Sequence, residues 1–327
     1  MKLIGNLVSS VLPFLIIGGL LYAGLFVKPK AVGASIKPVA IGPRDAFYGV
    51  AVPADNVVWA VGRGAKVVRS DDGGQSWTAQ TVPTKANLQS IAAFDLKRAV
   101  AVGNATTVIR TEDGGATWSA AADIPGTGEG HKLMRVRAGD GGQAWAVGEL
   151  GAILASGDYG RTWKIIGRQE DIVWNDIAAL GPKTAVVVGE FGNIRRSADG
   201  GATWEMVPSP VKSSLTAVKF ADDQRGVAVG LEGVVLVSGD GGRKWQSVRA
   251  PTTEHLFDVA RTASGWAVAG DKGIVLRTEE PTGAWHLSRI SPGDYAWHTE
   301  LYARGDRLYF AGATFGVIDG NAPHYFK

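Results

Sequence analysis

Ser197-Ala198-Asp199-Gly200-Gly201-Ala202-Thr203-Trp204 decides the fold, because it recurs along the chain. Ser70-Asp71-Asp72-Gly73-Gly74-Gln75-Ser76-Trp77 and Thr111-Glu112-Asp113-Gly114-Gly115-Ala116-Thr117-Trp118 are earlier copies. Ser156-Gly157-Asp158-Tyr159-Gly160-Arg161-Thr162-Trp163 and Ser238-Gly239-Asp240-Gly241-Gly242-Arg243-Lys244-Trp245 complete a set of five that fits Ser/Thr-x-Asp-x-Gly-x-x-Trp. A sixth, Thr278 to Trp285, has Glu280 at the Asp position. Successive box tryptophans fall 41, 45, 41, 41 and 40 residues apart. A period near forty with strand-like content predicts propeller blades of four strands each.

A second signal runs in phase, an apolar strand ending in glycine. It reads Trp59-Ala60-Val61-Gly62, Val100-Ala101-Val102-Gly103, Trp145-Ala146-Val147-Gly148, Val186-Val187-Val188-Gly189, Val227-Ala228-Val229-Gly230 and Ala267-Val268-Ala269-Gly270. Tyr309-Phe310-Ala311-Gly312 is a seventh copy, so the expected fold is all-β, a seven-bladed propeller. Within a blade, strand a is a short apolar run such as 215–220, strand b ends in the glycine, strand c leads into the box and strand d starts at its Trp. The last copy, Trp297 to Gly320, lacks a box and has little chain left for strand d. Ile36-Lys37-Pro38-Val39-Ala40-Ile41 is therefore expected to supply that outer strand and close the ring, which removes exposed edges.

Composition excludes several functions. The 327 residues hold no Cys, which removes disulfides, thiolate catalysis and zinc–thiolate sites. A net charge of +3 argues against nucleic acid as the main partner. Leu3 to Val27 is uncharged and almost wholly apolar, bracketed by Lys2 and by Lys28 and Lys30. At about 37 Å of helix it reads as one N-terminal transmembrane anchor, and the Val32-Gly33-Ala34 pattern leaves a cleaved signal as the alternative. The expected organisation is an anchor and linker over 1–33 and a propeller over 34–327. Its expected location is the inner membrane, single-pass, with the propeller in the periplasm.

The five recurring Asp residues read as structural. Asp72, Asp113, Asp158, Asp199 and Asp240 cap a tight turn with the Ser/Thr hydroxyl, Gly permits positive φ, and Trp77, Trp118, Trp163, Trp204 and Trp245 pack on the sheet. The box offers too few oxygens for Ca²⁺, so neither a metal nor a cofactor is expected.

These motifs resemble the BNR/Asp-box propeller superfamily. The in-phase Val-Gly strands and seven blades are similar to the photosystem II stability/assembly factor family and its non-photosynthetic bacterial relatives, over residues 36–320. The resemblance implies a non-enzymatic assembly or accessory subunit that docks on an integral membrane protein complex, with an RND-type exporter the partner class expected first. Sialidases share only the box. Their Arg-Ile-Pro motif is missing before the first box, where Gly42-Pro43-Arg44-Asp45 stands.

Partner contacts are expected on the b–c and d–a loops, on the face away from the boxes. The candidates are Arg63, Glu149, Arg168, Trp174, Glu190, Phe191, Lys272, Tyr295 and Trp297, charged or aromatic groups suited to anchoring a partner. Arg69, Arg110, Arg196 and Arg277, just before the boxes, are either solvated strand ends or a basic ring. No catalytic residue is assigned. The alternative function is a sialidase-like glycoside hydrolase or a glycan-binding module, with Glu149 and Glu190 as the carboxylates to test.

Overall fold

The computed structural model describes residues 2–26, 39–121, 124, 131–320 and 322–327, with side chains from residue 11 onward. Two units are distinguished, Met1–Val39 and Ala40–Lys327. In the first, a helix runs Lys2–Phe26 with Pro13 inside it. The expected inner-membrane anchor is overturned. Among the described residues no helix is long and apolar enough to cross a membrane.

The second unit is the seven-bladed propeller, each blade a four-stranded antiparallel sheet in sequence order from the axis outward. The innermost strands are Phe47–Ala54, Leu88–Ala93, Leu133–Ala138, Trp174–Ala179, Leu215–Phe220, Leu256–Arg261 and His298–Arg304. Strands b are buried throughout in blades 1 to 6 because they have sheet on both sides and a neighbouring blade on both faces. Their apolar runs therefore read continuously rather than alternating.

The terminal glycine of strand b has a steric cause. A Cβ at Gly62, Gly103, Gly148, Gly189, Gly230, Gly270 or Gly312 would lie 2.0–2.3 Å from the carbonyl oxygen that precedes strand a of the same blade. The residue after each glycine donates its N–H to that same carbonyl, as Arg63 does to Ala46 and Ala313 to Trp297, both at 3.0 Å. The glycine thus allows the b–c loop to dock on the d–a loop in every blade.

The seventh blade completes itself. Its outer strand is Ala322–Tyr325, paired with Phe315–Asp319. That position was expected for 36–41; residues 36–38 lie outside the described residues, and Val39 to Ile41 form no strand. Closure comes from side chains instead. Phe315 and Phe326 of blade 7 pack against Trp77 and Phe47 of blade 1, with ring centroids 4.9–5.1 Å apart. Arg304 pairs with Asp55 and donates to the Pro53 carbonyl across the same junction.

Candidate interaction site at the channel mouth

The strand-a bulge sets what faces the central channel. The first residue of each strand a points into the blade interfaces and is buried: Phe47, Leu88, Leu133, Trp174, Leu215, Leu256 and His298. The next residue is half-buried in every blade and lines the channel mouth. These residues are Tyr48, Gln89, Met134, Asn175, Thr216, Phe257 and Thr299, one per blade. Lys132 and Trp297 join them around a cavity of about 420 Å³. Trp297 stacks on Tyr48 with centroids 6.0 Å apart, and Arg63 Nε reaches the Tyr48 hydroxyl at 3.4 Å. Two mouth side chains are fixed by the next blade: Asn175 Nδ2 donates to Leu215 O at 2.8 Å, and Thr216 Oγ1 to Leu256 O at 2.7 Å.

Below the mouth the channel is plugged by charge. Arg135, Arg137 and Lys219 share it with Asp176, Asp258 and Glu300, three cations against three carboxylates. Arg137 holds Asp176 through Nε at 3.0 Å and Nη2 at 2.8 Å. Arg135 pairs with Glu300. Asp176 also accepts the N–H groups of Ile177 and, from the next blade, Val218, at 2.8 and 3.0 Å. Asp258 repeats this with Val259 and Leu301, at 2.9 and 2.8 Å. Burial opposes ionisation of Asp176, but Arg137, Arg135 and these hydrogen bonds win and hold its pKa down. For Lys219, burial and the nearby Arg137 win, and its pKa is lowered. The buried carboxylates therefore staple neighbouring blades and close the channel.

Several expected partner residues occupy other roles. Trp174 is only 1% exposed and lies under the guanidinium of Arg195, 5.3 Å from its ring, so it has no surface to offer a partner. Glu149 accepts the Lys132 N–H at 2.8 Å and Glu190 the Val173 N–H at 3.0 Å. Each carboxylate ties a b–c loop to the start of strand a in its own blade, and neither lines the mouth cavity. Arg168 and Arg63 are exposed. Lys272 is paired with Glu254 at 2.8 Å. Tyr295 is 66% exposed with Arg289 over its ring at 4.8 Å. Phe191 is 73% exposed at the tip of its loop with φ 55°, a conformation costly for a bulky side chain.

The box arginines form no free basic ring. Arg69 donates to the Leu96 carbonyl at 2.9 Å and to Gly114 O of the next box at 3.2 Å, and lies 4.3 Å over the Trp59 ring. Arg196 is buried and donates to Gly241 O of the next box at 2.8 Å. Arg110 pairs with Glu112 at 2.9 Å. The boxes themselves are turn staples. Asp199 accepts the Ser197 hydroxyl at 2.8 Å, the Thr203 N–H at 2.9 Å and the Thr203 hydroxyl at 2.6 Å, while Ser197 Oγ accepts the Gly201 N–H at 2.8 Å. The hydroxyl and N–H of Ser76, Thr117 and Thr203 pull the pKa of Asp72, Asp113 and Asp199 down to about 2.

The mouth ring and the plug escape a reading based on loops, since both lie on strand a. Their signal is a polar or charged residue inside an otherwise buried strand, as in Leu133-Met134-Arg135-Val136-Arg137, Trp174-Asn175-Asp176-Ile177 and Leu256-Phe257-Asp258-Val259.

Comparison with known proteins agrees with this architecture. The sequence model of the family described as "Photosynthesis system II assembly factor YCF48" matches residues 76–209 and 202–297. A solved structure titled "YCF48 bound to D1 peptide" is similar at a TM-score of 0.70 and 19% identity, covering 86% of this chain and 94% of that one. YCF48 from Cyanidioschyzon merolae is similar at 0.68 and 17%, covering 86% and 96%. The WD40 β-propeller domain of Doa1, at 0.65 and 12%, covers 84% and 92% and shares the fold. No curated protein sequence matches the chain. With more than half of its length matched by the family's sequence model, the chain belongs to the photosynthesis system II assembly factor YCF48 family.

Proposed function

We propose that this protein is a non-enzymatic binding propeller that docks on a subunit of an integral membrane protein complex, in an assembly or accessory role. The observation that carries the reading is the channel mouth. It is an aromatic-rimmed cavity whose lining includes Arg135, paired with the buried Glu300. Tyr48, Phe257 and Trp297 supply large contact area, and Gln89, Asn175 and Thr299 supply hydrogen bonds, the mixture that suits an extended peptide or loop. A relative solved with a D1 peptide supports a peptide segment as ligand. Arg63, which reaches Tyr48, and the exposed Phe191 and Tyr295 extend the same loop face beyond the mouth.

The hydrolase alternative is weakened because Glu149 and Glu190 are committed to backbone amides. Mild-detergent co-purification of the full chain from its native host tests the reading. A stoichiometric integral membrane subunit is expected with the wild type and is expected to fall about tenfold or more with Tyr48→Ala/Trp297→Ala, as for loss of aromatic anchors. Equal recovery by a folded double variant would refute the mouth as the site.

A further inference from the structure

Seven blades meet at seven interfaces, and each interface holds one apolar cluster. Six clusters include a box tryptophan from the following blade: Trp118, Trp163, Trp204, Trp245, Trp285 and, at the closing junction, Trp77. The cluster between blades 6 and 7 contains none. Blade 7 turns from Asp319 to Ala322 without a box, so it has no such tryptophan to offer. The strand-b residue that faces the following blade is also smallest there. It is Ala267, where the other interfaces have Trp59, Val100, Trp145, Val186, Val227 and Tyr309.

A cleft of about 800 Å³ lies at the box end of this interface, lined by Thr262, Arg277, Thr278, His286, Asp306 and Gly320 among others. Arg277 stands opposite Ala267 and His286 in the sheet register. Its counterparts Arg69 and Arg196 each donate to a glycine carbonyl of the next box. Arg277 has no next box, and among the described residues it makes no hydrogen bond or ion pair. Burial lowers its pKa, with no carboxylate offsetting the effect. Of the three acids that line the cleft, Asp306 accepts the N–H and hydroxyl of Ser264 at 2.9 and 2.8 Å, Glu280 acts on Arg225, and Glu279 is exposed and makes no ion pair with Arg277 among the described residues.

We propose that the cleft between blades 6 and 7 binds a peptide turn of a partner protein, which places an aromatic side chain where the other interfaces hold a box tryptophan and an acceptor oxygen on the Arg277 guanidinium. The ligand class follows from the molecule's own repeats, since six interfaces already hold the aromatic group and two of them hold the carbonyl on the matching arginine. A half-buried cation lacking an acceptor favours a ligand that brings one. The site lies at the opposite end of the blades from the channel mouth, so it is a second contact independent of the first.

The test uses the full chain with N-acetyltryptophan, which carries an indole and a carboxylate, and N-acetylalanine as the control. The His286 ring proton resonances report binding, since His286 is next to Arg277 in the sheet. A saturable shift is expected with N-acetyltryptophan and none with N-acetylalanine. Arg277→Leu is expected to weaken binding about tenfold or more, the scale of a hydrogen bond to a charged group. Arg277→Lys is expected to keep part of the affinity. Should Arg277→Leu fail to fold, Thr262→Trp fills the cleft from its rim and is expected to abolish the shift. An unmoved His286, an equal response to N-acetylalanine, or undiminished binding in a folded Arg277→Leu or Thr262→Trp chain would overturn the proposal.

Discussion

Asp176 shows what a single residue does in this fold. It is wholly buried, yet its carboxylate takes two hydrogen bonds from Arg137 and two from backbone amides, one of them in the next blade. Removing one member of such a set leaves buried charge without a partner. Asp176→Ala is expected to cost about 3–5 kcal/mol, read as a fall in the urea midpoint at unchanged slope. The box aspartates were legible from sequence because their partners lie two and four residues away, within the motif itself. Trp174 was not. It follows a loop-like stretch, but it aligns with Leu88, Leu133 and Leu215 at the buried start of strand a. The plug residues are drawn from blades far apart in sequence, and Arg137 and Glu300 meet only once the ring has closed.

At the scale of the element, the blade explains both recurring signals. The strand-b glycine admits the d–a carbonyl, and the box folds the c–d turn around one carboxylate. The Asp72, Asp113 and Asp199 carboxylates, with pKa values lowered from 3.8 to about 2, bind fewer protons folded than unfolded. Their contribution is complete above the unfolded pKa near 4 and is lost as pH falls towards 2. Melting temperature is therefore expected to drop between pH 4 and 2, and Asp72→Asn/Asp113→Asn/Asp199→Asn is expected to flatten that drop while lowering stability at pH 6. A melting profile equally steep in the triple variant would show that other groups govern the acid limit. Blade count was readable because the glycine signal persists in blade 7, where the box has vanished. The outer strand of that blade was not, since Ala322-Pro323-His324-Tyr325 carries no box tryptophan to announce it.

For the whole molecule, the last blade must be held against the first. A ring built from blades that each complete themselves needs a seam, and aromatic packing supplies it here. Phe326 is buried between blades 7 and 1, in contact with Trp77 and Phe315. Phe326→Ala is expected to cost about 3–5 kcal/mol, the range for emptying a buried aromatic site, and to speed hydrogen exchange first in blades 7 and 1. Uniform exchange across all blades would argue against a seam. The docking surface was legible only in part: Trp297 was expected on the loop face, but Tyr48, Gln89 and Phe257 were not, because a surface made from one residue per blade appears only when seven strands are brought around an axis.

The most direct test of the docking account is a photo-crosslinking residue placed at Phe257, in the channel mouth, in the full chain in its native host. One integral membrane subunit is expected to be captured from position 257, and not from an equivalent probe at Lys97 at the box end of blade 2. Adducts that are absent from position 257, or the same from both positions, would contradict the channel mouth as the place where this propeller meets its partner.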